Sequence, residues 1–510
     1  MKSEDREQAR FAPPGKTAAG DTASVMKFYG LPDAFPAKVL AEAKKVAKLP
    51  PGNRLDLRKK YIFTCDPVSA RDYDDAISFE KDRLGRRVLG VHIADVSHFV
   101  LPGGELDREA YKRSTSVYLA DRVVPMLPET LSNGICSLVP GEDRLAFSVF
   151  MTFDKNGEMV KRKFAKSVIR SQARFTYEQV MAIIGGRKHP KAKLIRGLDA
   201  LARQLRAARF AQGALDIEIP ETEILLDSEG ETTGVAVRPY DESHQLIEEC
   251  MVAANEAVAK ELWTRGIRIV ARLHEAPDPE KLMTLKRELR GLGIKTGNLE
   301  NRDVFAKFLA SIKKHPLYPT LATMVLRSMK RAVYSSSAIG HFGLSKRYYA
   351  HFTSPIRRYP DLTLHRQLAS FLEGGSGKVP PKLLAKWAEH ATEREEIAQE
   401  AERALSEIKK YRLLEERLAS RQAVEYDAVI VKCAPFGCFA ELSDLAIAGL
   451  VHISALSRKY VRYNEYDQTL SVPGGKGWKA GDRMRVKIAG IDIRERKLDL
   501  VPCSSQSRCR

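Results

Sequence analysis

The sequence predicts a large α+β domain, with a mixed sheet and surrounding helices, followed by a small C-terminal β-barrel of the OB class. Three observations predict this architecture. Apolar, strand-like segments occupy residues 61–64 and 76–79, helix-favouring segments dominate between about 176 and 420, and short strands with glycine turns follow Val424. Short strands separated by turn residues are typical of a small barrel, whereas long amphipathic helices need a sheet or another helix to pack on.

The chain is strongly basic. It has 510 residues, with 84 Lys and Arg against 65 Asp and Glu, and a formal net charge of +19. A surplus of this size suggests a polyanionic partner such as a nucleic acid, although a basic protein without such a partner would have the same charge. A local cluster of acids inside a basic chain fits an enzyme that attracts nucleic acid and cuts it with a bound metal.

The sequence shows no sign of a membrane span or of secretion. It contains no run of about 18 apolar residues, and Met1–Arg6 leads into no apolar segment of a signal peptide. The seven cysteines are scattered and form neither a C-x₂-C pair nor a zinc pattern. This distribution favours a reducing compartment. We therefore expect a cytoplasmic protein, and a monomer.

The region between the first two predicted strands concentrates negative charge. Residues 64–75 read TCDPVSARDYDD and contain Asp66, Asp72, Asp74 and Asp75. At about 5 Å and an effective dielectric of about 20, each like-charge pair costs about 3 kcal/mol, so a folded site of this kind needs protons or cations. A divalent ion with oxygen ligands, such as Mg²⁺, is the natural candidate, and a solvated acidic turn is the alternative.

Composition and periodicity divide the chain into five parts. Residues 1–24 are polar and aperiodic, as in a flexible tail, and 25–60 form a lead-in segment with helical periodicity. The large domain then covers 61–420, the predicted barrel covers 424–501, and 502–510 are expected to form a loose tail. The two folded parts therefore contain the candidate functional residues.

A second segment contains candidate phosphate-binding groups. Residues 351–361, HFTSPIRRYPD, place Arg357 and Arg358 beside aromatic and hydroxyl side chains. Arginine binds phosphate through two parallel N–H groups, and arginines with aromatic residues suit a nucleic-acid backbone with stacked bases. By itself, the segment could equally be a loop that enters a helix and exposes two arginines at the surface.

Together, the two segments resemble one family specifically. The acidic loop matches the metal motif of the ribonuclease II/ribonuclease R family, whose catalytic part is the RNB domain, and 351–361 looks like that family's signature loop. The C-terminal strands are similar to an S1 RNA-binding domain, which has an OB fold. Shorter motifs across residues 28–500 also agree, namely Pro125–Pro128, Cys136–Leu138, Gly213–Asp216, His244–Glu249, Ala254–Asn255 and Gly340–Leu344.

This resemblance implies a hydrolytic 3′→5′ exoribonuclease that uses Mg²⁺ and releases 5′-nucleoside monophosphates from single-stranded RNA. By motif match, Asp66, Asp72, Asp74 and Asp75 take the family's four acidic positions. They would hold one or two Mg²⁺ ions, for which Mn²⁺ can substitute, and these ions would activate a water and neutralise phosphate charge. We expect Asp74 to be indispensable.

The resemblance also implies roles for residues outside the acidic loop. Arg357 matches the family's catalytic arginine, which would stabilise the pentavalent phosphate, and Arg358 would assist it or grip the backbone. Tyr118 matches an aromatic residue that stacks near the 3′-terminal nucleotides, with a core-packed tyrosine as the alternative. Glu402 falls at a family position near the active centre, on a helix that offers several other acids.

Two features depart from the family pattern. Related enzymes often have an aromatic residue at the position of Ile217, as the second wall of a base clamp, and an isoleucine can pack against a base but cannot stack on it. The family usually has two cold-shock domains before the catalytic core, whereas about 60 residues precede the acidic loop here. RNA anchoring would then fall on the C-terminal domain, with Lys432, Phe436, Phe439 and His452 as candidates, although either phenylalanine could be barrel core.

Two other functions remain as alternatives. A catalytically reduced RNA-binding or regulatory member of the family would keep the domain without turnover, but all four acids and Arg357 are present. A phosphodiesterase acting on DNA or small oligonucleotides would differ from a ribonuclease in its lack of dependence on the 2′-hydroxyl group.

Overall fold

The structure, a computed structural model, describes residues 11–218, 221–315, 317–420, 424–475 and 477–503. The first part of the chain builds the main sheet and the helices on one of its sides. Its elements are α1 (Ala18–Tyr29), α2 (Ala37–Val46), β1 (Leu55–Asp56), β2 (Phe63–Cys65), β3 (Asp75–Lys81), β4 (Arg87–Ala94), α3 (Val96–Phe99), α4 (Glu105–Arg113), β5 (Val117–Tyr118), β6 (Val123–Val124), β7 (Asp143–Phe153), β8 (Met159–Arg170) and β9 (Ala173–Phe175). A kinked π-helical turn at Thr130–Ile135 lies between β6 and β7.

The middle of the chain is mostly helical. Its elements are α5 (Tyr177–Ile184), α6 (Ala192–Ala211), β10 (Thr222–Leu226), β11 (Thr232–Val237), α7 (Glu242–Thr264), β12 (Ala271–Leu273), α8 (Pro279–Gly291), α9 (Arg302–Ile312), α10 (Tyr318–Ser328), β13 (Val333–Ser335), α11 (Tyr359–Leu372) and α12 (Pro381–Ala419). Helix α12, with 39 residues, runs from the large domain towards the C-terminal domain.

The C-terminal domain is a small β-barrel. Its elements are β14 (Tyr426–Ala434), β15 (Gly437–Leu442), β16 (Ile447–His452), α13 (Ile453–Leu456), β17 (Arg462–Asn464), β18 (Thr469–Ser471), β19 (Gly477–Trp478), β20 (Arg483–Asp492) and β21 (Lys497–Pro502). The barrel closes in the order β14–β15–β16–β21–β20, while β17, β18 and β19 form a separate three-stranded sheet. A closed five-stranded barrel confirms the predicted OB class.

A seven-stranded sheet organises the large domain. Its strand order is β1–β8–β7–β4–β3–β2–β9, with parallel pairing of β1 with β8 and of β2 with β9 and antiparallel pairing elsewhere. One face buries side chains such as Phe63, Val91 and Phe147 against α5, α6 and α7. The other face packs on α2, α4 and the segment around Leu127. The predicted α+β class with a mixed sheet is therefore confirmed.

The acidic loop connects two neighbouring strands of this sheet. Strands β2 and β3 are antiparallel, with Phe63 opposite Ile77, and residues 66–74 join them. The short β2 is buried along its whole length, and β3 becomes exposed only towards its end. The sequence predicted both strands, and their pairing fixes the two ends of the loop on a buried support.

The N-terminal segment differs from its expected form. Helix α1 begins at Ala18, where the side chain of Thr17 accepts the N–H of Gly20. Within α1, Asp21 is fully buried and accepts a hydrogen bond of 2.7 Å from the guanidinium of Arg412 on α12. The prediction of a flexible tail over 1–24 is therefore wrong for residues 18–24, because a tertiary ion pair orders them; residues 1–10 lie outside the described part of the chain.

Two other expected boundaries shift slightly. Strand β1 pairs with β8, so the main sheet includes residues from the lead-in segment 25–60. Strand β21 extends to Pro502, the first residue of the expected tail, and 504–510 lie outside the described residues. Among the residues that the structure describes, no helix combines the length and the apolar character needed to cross a membrane.

Candidate active site

The acidic loop and the arginine loop meet at Asp74. The backbone N–H of Ile356 donates to Oδ1 of Asp74 at 2.9 Å, and Nε of Arg357 lies 3.6 Å from its Oδ2. Asp74 is only 4% exposed, whereas the side chain of Arg357 is 42% exposed. The carboxylate is thus held from inside the protein, while the guanidinium stays accessible to a phosphate that arrives from solvent.

The four predicted acids differ in how deeply they are buried. Asp66 and Asp74 are buried, and Asp72 and Asp75 are half-buried. Burial raises the pKa of Asp66 to about 8, and the charge of Asp75 adds to this shift. Burial also raises the pKa of Asp74 well above its usual range and that of Asp75 to about 6, and the guanidinium of Arg357 opposes both shifts. A cation near these groups would therefore favour their ionised forms.

The donor chemistry of this group fits a hard divalent cation. All four side chains offer carboxylate oxygens, and the buried Oδ2 of Asp66 has no hydrogen-bond partner among the described residues. In the side-chain positions seen here, no three His, Cys, Asp or Glu residues of the described ranges form a ready metal-binding group. Asp72 and Asp74 instead face protein donors, so an ion would have to draw these carboxylates from their present partners.

Two side chains that the sequence analysis did not single out hold the acidic loop in place. The guanidinium of Arg174 donates to the carbonyl oxygens of Pro67 and Val68 at 2.6 and 2.9 Å. The hydroxyl of Ser137 accepts the backbone N–H of Tyr73 at 3.0 Å. Arg174 reaches the loop because β9 pairs with β2, a long-range contact that no local pattern reveals. Ser137 lies within the family motif Cys136–Leu138, which is the sequence feature that could have identified it.

The arginine loop is fixed by a buried carboxylate. Oδ1 of Asp361 accepts the backbone N–H of Ser354 and the guanidinium of Arg358, both at 2.8 Å. Asp361 is fully buried, and the side chain of Arg358 is mostly buried. The two adjacent arginines therefore differ in direction: Arg357 points to Asp74 and solvent, and Arg358 points inward. That Arg358 assists catalysis or grips RNA stays a prediction.

Tyr118 and Glu402 lie together beside the acidic loop. The backbone N–H of Tyr118 donates to Oε1 of Glu402 at 2.7 Å, and its hydroxyl donates to Oδ2 of Asp72 at 3.2 Å. Tyr118 is 41% exposed, so it is not a core tyrosine. The structure thus brings together an accessible aromatic ring, an acid of the predicted metal group and the glutamate on α12.

A pair of stacked aromatic rings also lies near the acidic loop. The rings of Tyr177 and His244 stack with centroids 3.8 Å apart and planes 15° apart. The backbone N–H of Asp66 donates to the carbonyl oxygen of Phe175 at 3.1 Å, two residues before Tyr177, so this segment lies beside the acidic loop. Burial raises the pKa of Tyr177, and nearby Asp66 and Asp75 add to the shift. The sequence analysis contained His244 within a family motif but gave neither side chain a role.

Ile217 lies among apolar side chains of the helical region. It is half-buried and packs against the cluster formed by α8, α9 and α10, which includes Phe305. The flanking residues Asp216 and Glu218 both accept contacts from Lys313. The structure therefore shows how the segment is held, and the role of Ile217 in a base clamp stays a prediction.

The predicted RNA-binding residues of the barrel share one region of its surface. Lys432 on β14 lies opposite Phe439 on β15, and His452 lies opposite Gly437. The rings of Phe436 and Phe439 are 6.1 Å apart and perpendicular. Phe436 is 49% exposed, which rules out a core position, and Phe439 is half-buried between two fully buried neighbours in its strand, so its ring faces outward.

Comparison with known families identifies both domains. Residues 54–374 match the RNB domain, and residues 423–501 match the S1 RNA binding domain. The chain belongs to the RNB family. The resemblance inferred from the acidic loop and the signature loop is thereby confirmed, and so is the S1 character of the barrel.

Relatives and solved structures agree with this membership. The chain is similar to ribonuclease R of Thermotoga maritima (41% identity, covering 94% of this chain and 70% of the relative) and of Escherichia coli (36% identity, 94% and 61%). It is also similar to Mycoplasma genitalium RNase R solved in complex with ribose-methylated single-stranded RNA (TM-score 0.88, 28% identity, 96% and 78%). Yeast Ssd1, described as a pseudonuclease, shares the fold (TM-score 0.71, 18% identity, 88% and 58%).

Proposed function

We propose that this chain is a Mg²⁺-dependent, hydrolytic 3′→5′ exoribonuclease that degrades single-stranded RNA to 5′-nucleoside monophosphates. The junction of Asp74 with Ile356 and Arg357 supports this proposal most directly. It joins a buried member of a four-carboxylate group to an accessible guanidinium. Phosphodiester hydrolysis needs both, since carboxylates hold the cation and the arginine stabilises charge on the phosphate.

The proposed cofactor site consists of Asp66, Asp72, Asp74 and Asp75, which would hold one or two Mg²⁺ ions, with Mn²⁺ as a substitute. Carboxylate oxygens are the ligands that such cations prefer. A bound cation supplies charge neutralisation on the phosphate and lowers the pKa of an attacking water. The buried Oδ2 of Asp66, which has no protein donor among the described residues, supports this assignment.

The remaining side chains of the site would bind and orient the RNA. Arg357 would donate its free N–H groups to the scissile phosphate, and Arg358 would hold the loop through its pair with Asp361. The exposed ring of Tyr118 would stack on a base near the 3′ end, with its backbone fixed by Glu402. Stacking tolerates any base, so this contact suits an enzyme without sequence preference.

The S1 barrel would provide a second contact with the same strand. Lys432 would contribute positive charge, and Phe436 and Phe439 would offer perpendicular rings for bases, with the exposed His452 beside them. RNA bound on this surface would remain attached while its 3′ end is processed. The two domains together would therefore favour repeated cleavage of one molecule over release after each step.

A labelled-substrate experiment tests this proposal. A 5′-labelled single-stranded RNA is incubated with the protein and Mg²⁺, with and without a chelator, beside a DNA of the same sequence. The proposal predicts a ladder that shortens from the 3′ end, depends on the metal and is absent with DNA. RNA binding without any product would instead support a non-catalytic member of the family, and equal cleavage of DNA would support a general phosphodiesterase.

A further inference from the structure

A groove lies between the helical region of the large domain and the three-stranded sheet of the C-terminal domain. Its volume is about 610 Å³, and its lining includes Arg287 on α8 together with Arg462, Tyr463, Tyr466 and Thr469 on β17, β18 and their connection. These residues belong to neither the acidic site nor the predicted RNA surface of the barrel. The groove is therefore a separate feature, built jointly by the two domains.

The two walls of the groove contact each other directly. A Cβ atom at Gly291, the last residue of α8, would lie 2.8 Å from the backbone oxygen of Asp467, so only glycine allows the turn between β17 and β18 to approach this closely. The guanidinium of Arg290 lies 3.4 Å from the hydroxyl of Tyr466. These contacts fix the distance between the walls of the groove.

The lining has the chemistry of a single-stranded RNA site. Arg287 and Arg462 are exposed, and neither forms an ion pair with the acids of the described residues, while Glu465 supplies negative charge at the same wall. Tyr466 is 62% exposed. Tyr463 is half-buried against the barrel core, so Tyr466 is the accessible ring. Guanidinium groups bind phosphates, and an accessible tyrosine ring stacks on a base, so two exposed arginines and Tyr466 along one groove suit a nucleic-acid strand.

The groove also continues the RNA surface predicted for the barrel. Burial raises the pKa of Glu288 on α8, and the charges of Arg327, Lys432 and Arg287 oppose that shift. Strand β14, which contains Lys432, also contacts β18 in the wall of the groove, and Sγ of Cys433 donates to the carbonyl oxygen of Trp478 on β19 at 3.5 Å. Since Lys432 is the cross-strand neighbour of Phe439, the barrel surface and the groove are adjacent.

We propose that this groove is a subsite for single-stranded RNA, which holds the 5′-side portion of a strand that also contacts Lys432 and Phe439 on the barrel. This inference rests on the proposed function, because it assigns the 3′ end of the same strand to the site at Asp74. RNA long enough to leave the acidic site and reach the barrel would occupy the groove. Very short RNA would not.

Binding measurements at several salt concentrations test this subsite. The probes are 2′-O-methyl oligonucleotides of 5 and 30 nucleotides, with affinity measured by fluorescence anisotropy. We expect the double variant Arg287→Gln/Arg462→Gln to bind the 30-mer about tenfold more weakly and to reduce the slope of log K against log salt by about 1.4, because each lost phosphate contact on a single strand accounts for about 0.7. Affinity for the 5-mer should be unchanged.

Two further variants make the test specific. The matched control, Arg83→Gln/Arg268→Gln, removes two exposed arginines outside the groove and should leave the salt dependence nearly as in the wild type. Tyr466→Ala should weaken 30-mer binding about tenfold with an unchanged slope, because stacking releases no counterions. The inference is overturned if the groove variant keeps the wild-type slope, or if it weakens the 5-mer as much as the 30-mer.

The experiment separates this inference from the proposed function. Its readout is binding, and the probes resist cleavage, so groove-dependent affinity can be observed even in a protein that releases no nucleotides. Conversely, a wild-type protein that degrades RNA but shows no groove-dependent binding would retain the proposed function and refute the subsite. Equal thermal unfolding midpoints for wild type and variants confirm that each protein is folded.

Discussion

The backbone N–H of Ile356 donates a hydrogen bond of 2.9 Å to Oδ1 of Asp74, although 282 residues separate them in sequence. The carbonyl oxygen of Asp74 also accepts the N–H of Ala94 on the neighbouring strand β4 at 2.9 Å. The residue is therefore tied to the sheet by its backbone and to the arginine loop by its side chain. This arrangement fixes the acidic loop relative to Arg357 before any substrate binds.

Arg357 should affect turnover far more than folding. Its side chain is half-exposed and makes a 3.6 Å contact with Asp74, so its loss removes little buried structure. Removing one donor to a developing charge typically lowers kcat by about 10²–10³, and we expect Arg357→Gln to do so in steady-state assays of mononucleotide release. The control Arg347→Gln, at an exposed arginine, should retain wild-type kcat. A change in KM alone would argue against a role for Arg357 at the scissile phosphate.

Arg358, in contrast, should affect the stability of the fold more than turnover. Its partner Asp361 is fully buried, so Arg358→Gln leaves a carboxylate without its counter-charge. Breaking a buried ion pair from one side typically costs roughly 3–5 kcal/mol, and we expect a loss of about this size in the free energy of unfolding measured with urea. Wild-type stability combined with lost activity would instead show that Arg358 contacts the substrate.

Tyr118 should contribute to RNA binding through its ring more than through its hydroxyl. The hydrogen bond to Asp72 is long, at 3.2 Å, whereas the ring is accessible for stacking. We expect Tyr118→Ala to weaken binding of a short RNA by about 1–3 kcal/mol, the usual contribution of one stacked base. Tyr118→Phe keeps the ring and should bind nearly as the wild type in anisotropy titrations. Equal losses in both variants would point to the hydroxyl.

Phe436 should affect the binding of long RNA only. Because half of its surface is exposed, Phe436→Ala should lower the affinity for a 30-mer without changing thermal stability. A suitable control is Leu84→Ala, which truncates an exposed apolar side chain in the turn between β3 and β4. If the Phe436 variant binds the 30-mer as tightly as the control, the barrel surface is not an RNA contact.

The sequence predicted features that depend on local patterns. The strands around the acidic loop are short apolar runs, and the barrel strands are short segments separated by glycine turns. Both sets of strands could therefore be predicted. The meeting of residues 64–75 with 351–361 could be expected only through the family resemblance, because nothing in either segment encodes a contact across nearly 300 residues. The contact between Tyr118 and Glu402 is likewise seen only in the structure.

Other features depend on long-range contacts that no local pattern specifies. Helix α1 is ordered by the pair of Asp21 with Arg412, which lie 391 residues apart. The side chain of Arg358 points inward because it pairs with the buried Asp361. The sequence alone could not show that Arg358 and its neighbour Arg357 point in different directions. The groove between α8 and the three-stranded sheet exists only because two domains meet there, so its residues appear unrelated in the sequence.

Asp74→Asn offers the most direct test of the central claim, that the acidic loop is the hydrolytic centre. The substitution keeps size and hydrogen-bond acceptor but removes the charge, and Asp56→Asn at an exposed pair on β1 is the matched control. Single-turnover release of 5′-nucleoside monophosphate from a uniformly labelled RNA with Mg²⁺ should be lost in Asp74→Asn and retained in Asp56→Asn, while both proteins should bind RNA. Continued release at the wild-type rate by a folded Asp74→Asn protein would contradict the claim.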